Sequence, residues 1–274
     1  MDTTHLTKTK SSLAHWGKYR TVLLVPLSLL VAVLIWDFVI RVGNFPAFIL
    51  PPPSLVWNRL WQVLGDGSLL RHSLNTLGEV IAGLTLGVVT AASLGYLLAK
   101  SPSVERLLSP YVVASQSVPI VAIAPLLVIW FGPGLFSKVL ICALIVFFPV
   151  LVNTIVGLRS VPDDLRDLMR SLQASRWQTF SLLDVPAALP IFLGGLRIGA
   201  TLAVIGAVVG EFVGADRGLG FMINRARGQY DTALVFVAIL ALVFMALSLY
   251  GLVVLLESRL LSWRQRPEQP IFSQ

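Results

Sequence analysis

Six apolar stretches dominate this chain, at residues 21–42, 73–99, 107–131, 136–158, 188–213 and 233–256. Each reaches the ~20 residues a helix needs to cross a bilayer. Lipid offers backbone N–H and C=O groups no water, so a spanning chain must satisfy them internally. The pattern predicts an all-α, polytopic membrane helical bundle of about six transmembrane helices. Charged residues are only 13% of the chain, against about 25% in soluble domains, and mean hydropathy is +0.82. The first stretch is longer than the ~7–15-residue core of a signal peptide, and no small-residue cleavage site follows it. It reads as a retained anchor. The organisation expected is a tail at 1–20, the anchor at 21–42, a five-span core at 73–256 with a loop at 159–187, and a tail at 257–274.

Lysine and arginine orient the bundle. Six spans put both termini on one side, with the loops at 100–106 and 159–187. That side holds thirteen of the 21 basic residues and the other seven, with Arg197 inside the fifth span. The richer side is cytoplasmic by the positive-inside rule, so both termini and the 159–187 loop face the cytosol. A pI near 10.0 thus reflects topology, and no nucleic-acid partner is expected. The single cysteine, Cys142, lies in an apolar run. It excludes an intrachain disulfide and a cysteine metal cluster, and reads as a packing residue.

The 163–180 stretch is a loop with a helical face. Leu165, Leu168, Met169, Leu172 and Arg176 recur at helical spacing. Pro162 and Asp163-Asp164 open it as a first turn prefers, and Pro186 and Pro190 close it. A structured cytoplasmic helix with an apolar side is a place for a partner to dock.

Two spans depart from simple lipid-facing helix. The third is interrupted by Pro110, Ser115-Gln116-Ser117, Pro119 and Pro125. Broken, polar backbone at membrane depth is tolerated only inside protein or along a wet cavity. Ser115, Gln116 and Ser117 are therefore candidates for a translocation pathway; the alternative is a kinked packing helix whose polar side chains bond their own backbone. The fifth carries Gly194, Gly195, Gly199, Ala203, Gly206, Ala207, Gly210 and Gly214 at three- and four-residue steps, which lets helices approach closely. Ionisable residues in spans are functional candidates. Glu79 and Glu211 join the pathway set with Asn153, although their positions near span ends suit an interfacial role equally. Arg197 is expected to hold a carboxylate or helix-end carbonyls.

Enzyme motifs are missing. There is no G-x-x-x-x-G-K-[ST] phosphate loop, no H-E-x-x-H and no G-x-S-x-G, and His5, His15 and His72 do not cluster. No catalytic or metal site is expected. A transporter of this kind needs an ion gradient or an external motor. No internal repeat and no midplane charge favours the ion-gradient-driven secondary transporter.

The loop also carries a resemblance. Asp167-Leu168-Met169, then Gln173-Ala174-Ser175-Arg176-Trp177, then Leu183-Asp184-Val185-Pro186 and Pro190 resemble the "EAA" loop of bacterial ABC-transporter permeases. That loop reads E-A-A, three residues, G-A-S, then a helix ending in V-x-L-P and a second proline. Asp167 replaces the glutamate, and Gln173 stands where the family places a turn glycine, the residue suited to left-handed backbone. Val121-Ala122-Ile123-Ala124-Pro125-Leu126-Leu127, Trp130-Phe131-Gly132, Phe147-Phe148-Pro149, Gly157-Leu158-Arg159, Gly195-Leu196-Arg197, Gly210-Glu211-Phe212-Val213-Gly214 and Gly218-Leu219-Gly220 extend the likeness over about residues 50 to 260. Together they are similar to permeases serving nitrate, taurine, alkyl sulfonates, the pyrimidine precursor of thiamine, and riboflavin. The run from Val204 to Glu211 stands closer to the vitamin members.

The resemblance implies a type I ABC importer permease fold with a cytoplasmic coupling helix, in a bacterial inner membrane. It assigns ATPase coupling to Asp167, Leu168, Met169, Leu172, Gln173, Ala174, Ser175 and Arg176. Implied partners are ABC ATPase subunits, an extracytoplasmic substrate-binding protein, a second permease copy forming a homodimer, and membrane lipid. ATP and Mg would sit on the ATPase, leaving this subunit without a cofactor. The implied cargo is a small organic nutrient, riboflavin or a thiamine pyrimidine, with sulfonate, taurine or nitrate as the alternative.

Overall fold

A computed structural model of the chain describes residues 8–262, all of the regular structure within them being helical. The outer parts of both expected tails, 1–7 and 263–274, lie outside the described residues. Four long helices make the bundle: α3 (Ser68–Lys100), α6 (Leu135–Arg159), α9 (Val185–Gly214) and α11 (Thr232–Leu260). With α1 (Lys8–Gly43), which begins thirteen residues ahead of the first apolar stretch and inside the expected tail, they cover the apolar stretches, since only an uninterrupted helix satisfies the backbone of such a run in lipid.

α6 is gripped on both sides. Its Cys142, Val146, Val150 and Leu151 are fully buried, with Val80 and Ala91 of α3 and Ala200, Ala203 and Ala207 of α9. Missing side chains explain the closeness. A Cβ on Gly206 would stand 2.8 Å from the Cα of Cys142, and one on Gly87 2.8 Å from the carbonyl oxygen of Ala143. Gly195, Gly199, Gly206 and Gly210 of α9 thus face α6, whereas Gly194, part of the same expected stripe, faces open space. Cys142 points its thiol at the Ala203 carbonyl, 3.5 Å away, in the packing role its sequence context suggested.

The third apolar stretch differs from a single span. It forms α4 (Pro102–Gln116) and α5 (Ile120–Phe131), and the segments Pro110–Gln116 and Ile120–Phe131 meet at 93°. Pro119 caps α5 in an extended conformation and has no N–H with which to continue α4. Among the described residues, five helices are therefore long and apolar enough to cross, or six if the bent pair counts as one span.

Two shorter helices were not expected. α2 (Pro53–Gly65) buries Val56 and Val63, and its Arg59 pairs with Asp231, just before α11, at 2.7 Å. α10 (Leu219–Gly228) re-enters the bundle from the 215–231 connection and buries Leu219, Gly220, Met222 and Ala226. By contrast, α1 touches the rest lightly. None of its apolar window is buried, and Trp36 stacks on Phe236 of α11 with centroids 5.0 Å apart.

Candidate coupling site

The loop after α6 folds into two short helices and a wide turn. Pro162 adopts extended backbone and opens α7 (Asp163–Ser171), whose first turn carries Asp163 and Asp164 where the helix dipole favours anions. The single amphipathic helix expected over 163–180 is interrupted after Ser171. Gln173 takes a left-handed conformation, φ 53°. Its N–H donates to Arg170 O at 2.9 Å while Ala174 N–H donates to Met169 O at 3.0 Å. This pair of bonds is a Schellman motif. The turn is made even though glutamine stands in the glycine position.

Ser175 then starts α8 (Arg176–Thr179) with a reciprocal capping box: Ser175 Oγ accepts from Gln178 N–H at 3.2 Å, and Gln178 Oε1 accepts from Ser175 N–H at 2.7 Å. Residues Phe180–Asp184 widen into a π-helical turn in which Val185 N–H reaches back to Phe180 O. Pro186 lacks the N–H that a regular helix would donate to Leu182, and its ring crowds that carbonyl. The wide turn relieves both.

This construction leaves an apolar surface bare. Leu168 is 52% exposed, Leu172 68% and Trp177 72%. Asp167 pairs with Arg170 at 2.9 Å on the same exposed helix. Met169 and Ala174 are half-buried. Arg176 instead borders a cavity of about 750 Å³ between α8, α3, α6 and α9, walled by Tyr96, Trp177, Phe180 and Phe192.

The candidate pathway residues are not gathered at one place. Ser115, Gln116 and Ser117 sit exposed at the α4–α5 bend. Ser115 and Ser117 donate to the carbonyls of Val112 and Val113. Asn153 donates to Pro149 O at 2.8 Å, and a Cβ on Gly195 of α9 would stand 2.6 Å from its own. Glu79 lies near the other end of the bundle, paired at 2.8 Å with Lys138. Lys138 is fifteen residues, or about 22 Å, along α6 from Asn153.

Glu211 is 1% exposed and holds the start of α10. Its carboxylate accepts from Thr76 Oγ1 at 2.7 Å and from Gly220 N–H, while Thr76 accepts from Leu219 N–H at 2.8 Å. His72 Nδ1 accepts from Gly218 N–H at 3.0 Å. Gly218, at φ 110°, leaves no room for a Cβ beside the Glu211 carboxylate. Arg197 holds the Glu257 carboxylate across α9 and α11.

Sequence reasoning missed several polar residues. Lys138, at the start of the 136–158 stretch, counts among the outer side's basic residues and is buried. Asp184 was read as part of a proline-bounded loop and is a buried ionic centre, with Lys100 and Arg166 upon it. One signal could have found Lys138: a lone base in one apolar span calls for an acid in another.

The right-angled third span and the two-helix insertion between α6 and α9 lie within the helical fold of a type I ABC importer permease. The chain is similar in fold to a chain of the MetNI methionine ABC transporter in an inward-facing conformation, with a TM-score of 0.62 over 73% of this chain and 98% of that one, at 20% identity. It belongs to the family of binding-protein-dependent transport system inner membrane components, whose model matches residues 83–262. Relatives include a riboflavin transport system permease of Chloroflexus aurantiacus, 46% identical over 87% of this chain and 89% of that one. A formylaminopyrimidine transport permease of Halalkalibacterium halodurans is 38% identical (86% and 94% covered), and a taurine transport permease of Escherichia coli 34% identical (90% and 92% covered).

Proposed function

We infer that this subunit forms the membrane path of an ATP-driven importer of a vitamin or vitamin precursor, riboflavin or a thiamine pyrimidine. The observation that carries the ATP-driven reading is the exposure of Leu168, Leu172 and Trp177 on a helix pair joined by a Schellman turn and a capping box. Apolar side chains held in the open on ordered backbone suit a protein partner. The partner of fitting chemistry is an ATPase subunit, which holds ATP and Mg where this chain has no phosphate loop. The path is completed by a second copy of the permease, with both termini in the cytosol, and is fed by an extracytoplasmic binding protein. Relatedness to riboflavin and formylaminopyrimidine permeases supports the vitamin cargo. The taurine relative and an aliphatic sulfonate permease of Bacillus subtilis at 34% identity support sulfonates as the second reading.

Reconstitution in liposomes tests the whole reading, because nucleotide and ion gradient can be set independently. Riboflavin uptake should require binding protein, ATPase and ATP on the ATPase side, and should ignore an ionophore. Uptake by the permease alone on a proton or sodium gradient would replace it with a secondary transporter. ATP-driven uptake of taurine but not riboflavin would move the cargo to the sulfonates.

A further inference from the structure

We propose that Asp184, with Lys100 and Arg166, is a transmission brace locking the coupling segment to the ends of α3, α6 and α9, so that they move as one body. The inference rests on reading α7 and α8 as the ATPase dock. Asp184 is 1% exposed and cannot itself meet a partner. Both of its oxygens are engaged: Oδ2 accepts from Lys100 Nζ at 2.6 Å, and Oδ1 from Arg166 Nη1 at 3.1 Å. Arg166 reaches on with Nη2 to Leu158 O at 2.8 Å. One carboxylate thus ties together the last residue of α3, the end of α6, the middle of α7 and the turn that begins α9.

The cations sit well for the purpose. Lys100 and Arg166 lie where α3 and α6 end and their last carbonyls carry partial negative charge. A second contact runs beside the ionic one. Tyr96 of α3 meets Phe180 edge-on at 5.2 Å, and Lys100 Nζ lies 5.8 Å from the Tyr96 ring centre. Tyr96 is four residues before Lys100 and Phe180 four before Asp184, so each pair shares one helix face. Two contacts a turn apart fix tilt as well as position.

The neighbouring cavity shows why such a tie is useful. About 750 Å³ lies between α8 and the spans, with Tyr96, Trp177 and Phe180 on its walls. Apolar contact is non-directional, so a load on α8 borne by those walls alone would push it into that space. A buried carboxylate between two fixed donors admits one register.

The test measures rigidity directly and needs no cargo. Spin labels on Leu97→Cys at the end of α3 and Asp164→Cys on α7, in a Cys142→Ala background, are placed in permease–ATPase complexes diluted with unlabelled permease, so that distances within one chain dominate. In the otherwise unaltered protein, one sharp distance should persist unchanged between the nucleotide-free and the ATP–vanadate-trapped complex. Lys100→Met leaves Arg166 to neutralise Asp184 and so spares the fold. It should widen the distribution without nucleotide and shift it by about one helical turn, ~5 Å, on trapping. Lys100→Arg should restore the sharp distance, and Asp184→Asn should behave as Lys100→Met. A shift of that size in the unaltered protein would make the site a hinge and overturn the brace. So would Lys100→Met and Asp184→Asn distributions indistinguishable from the unaltered one. The docking reading fails separately, if a Leu168→Asp, Leu172→Asp permease still copurifies with the ATPase.

Discussion

Lys138 of α6 donates to Glu79 of α3 at 2.8 Å, with side chains only 6% and 5% exposed. The second oxygen of Glu79, Oε2, is buried without a hydrogen-bond partner. Breaking a buried pair from one side leaves an uncompensated charge, whereas replacing both partners with apolar groups is often neutral. Lys138→Met alone should therefore destabilise the permease by about 3–5 kcal/mol. Glu79→Leu combined with Lys138→Met should recover most of the loss. Thermal midpoints of the monodisperse permease in detergent give both comparisons. Equal losses in the single and double variants would show that the pair contributes more than charge balance.

The glycines of α9 should separate by face. Gly206→Ala forces a methyl to within 2.8 Å of the Cys142 backbone, where only movement of a whole helix makes room. A loss of about 1–3 kcal/mol is expected, as for other overpacked cores. Gly194→Ala meets nothing within 4 Å and should gain about 0.5–1 kcal/mol from helix propensity. The same thermal measurement ranks them.

Gln173 holds left-handed backbone at φ 53°, which costs a residue with a Cβ roughly 1–2 kcal/mol. Gln173→Gly should tighten the turn and Gln173→Val should loosen it. The amides of Gln173 and Ala174 close that turn, so their hydrogen exchange reads the effect: slower in the glycine variant and faster in the valine variant.

At the α4–α5 bend, single cysteines at 115, 116 and 117 in a Cys142→Ala background should react with a small water-soluble thiol reagent. Trapping the ATPase with a nucleotide analogue should change their reactivity. Silence at all three positions in both states would assign the bend to packing and remove it from the pathway.

The long spans were legible because length and apolarity alone decide them in lipid. The bend between α4 and α5 was half-legible: Pro119 and Ser115-Gln116-Ser117 announced a break but not a right angle. α10 was hidden. Gly218-Leu219-Gly220 followed by arginines looks like a loop, and its first amides are satisfied by His72, Thr76 and Glu211, side chains from other helices. Asp184 was hidden for the same reason. Lys100 lies 84 residues away from it in sequence, and no local pattern announces that meeting. Periodicity reports which face of a helix is apolar. It does not report which polar groups the packing of several helices brings together.

The wide turn at Phe180–Asp184 also sets the angular phase of everything before it. Successive residues of a helix are rotated by about 100°, and a π turn inserts one residue into that screw. Deleting a single residue there, with the glycine face of α9 kept on α6, would set Pro186 against the carbonyl four residues before it. It would also swing Trp177 about a quarter of the way round the axis, away from the cavity wall it forms with Tyr96 and Phe180. The turn works as a phase shifter between α8 and the glycine face of α9. A one-residue change in its length is a change of direction before it is a change of size.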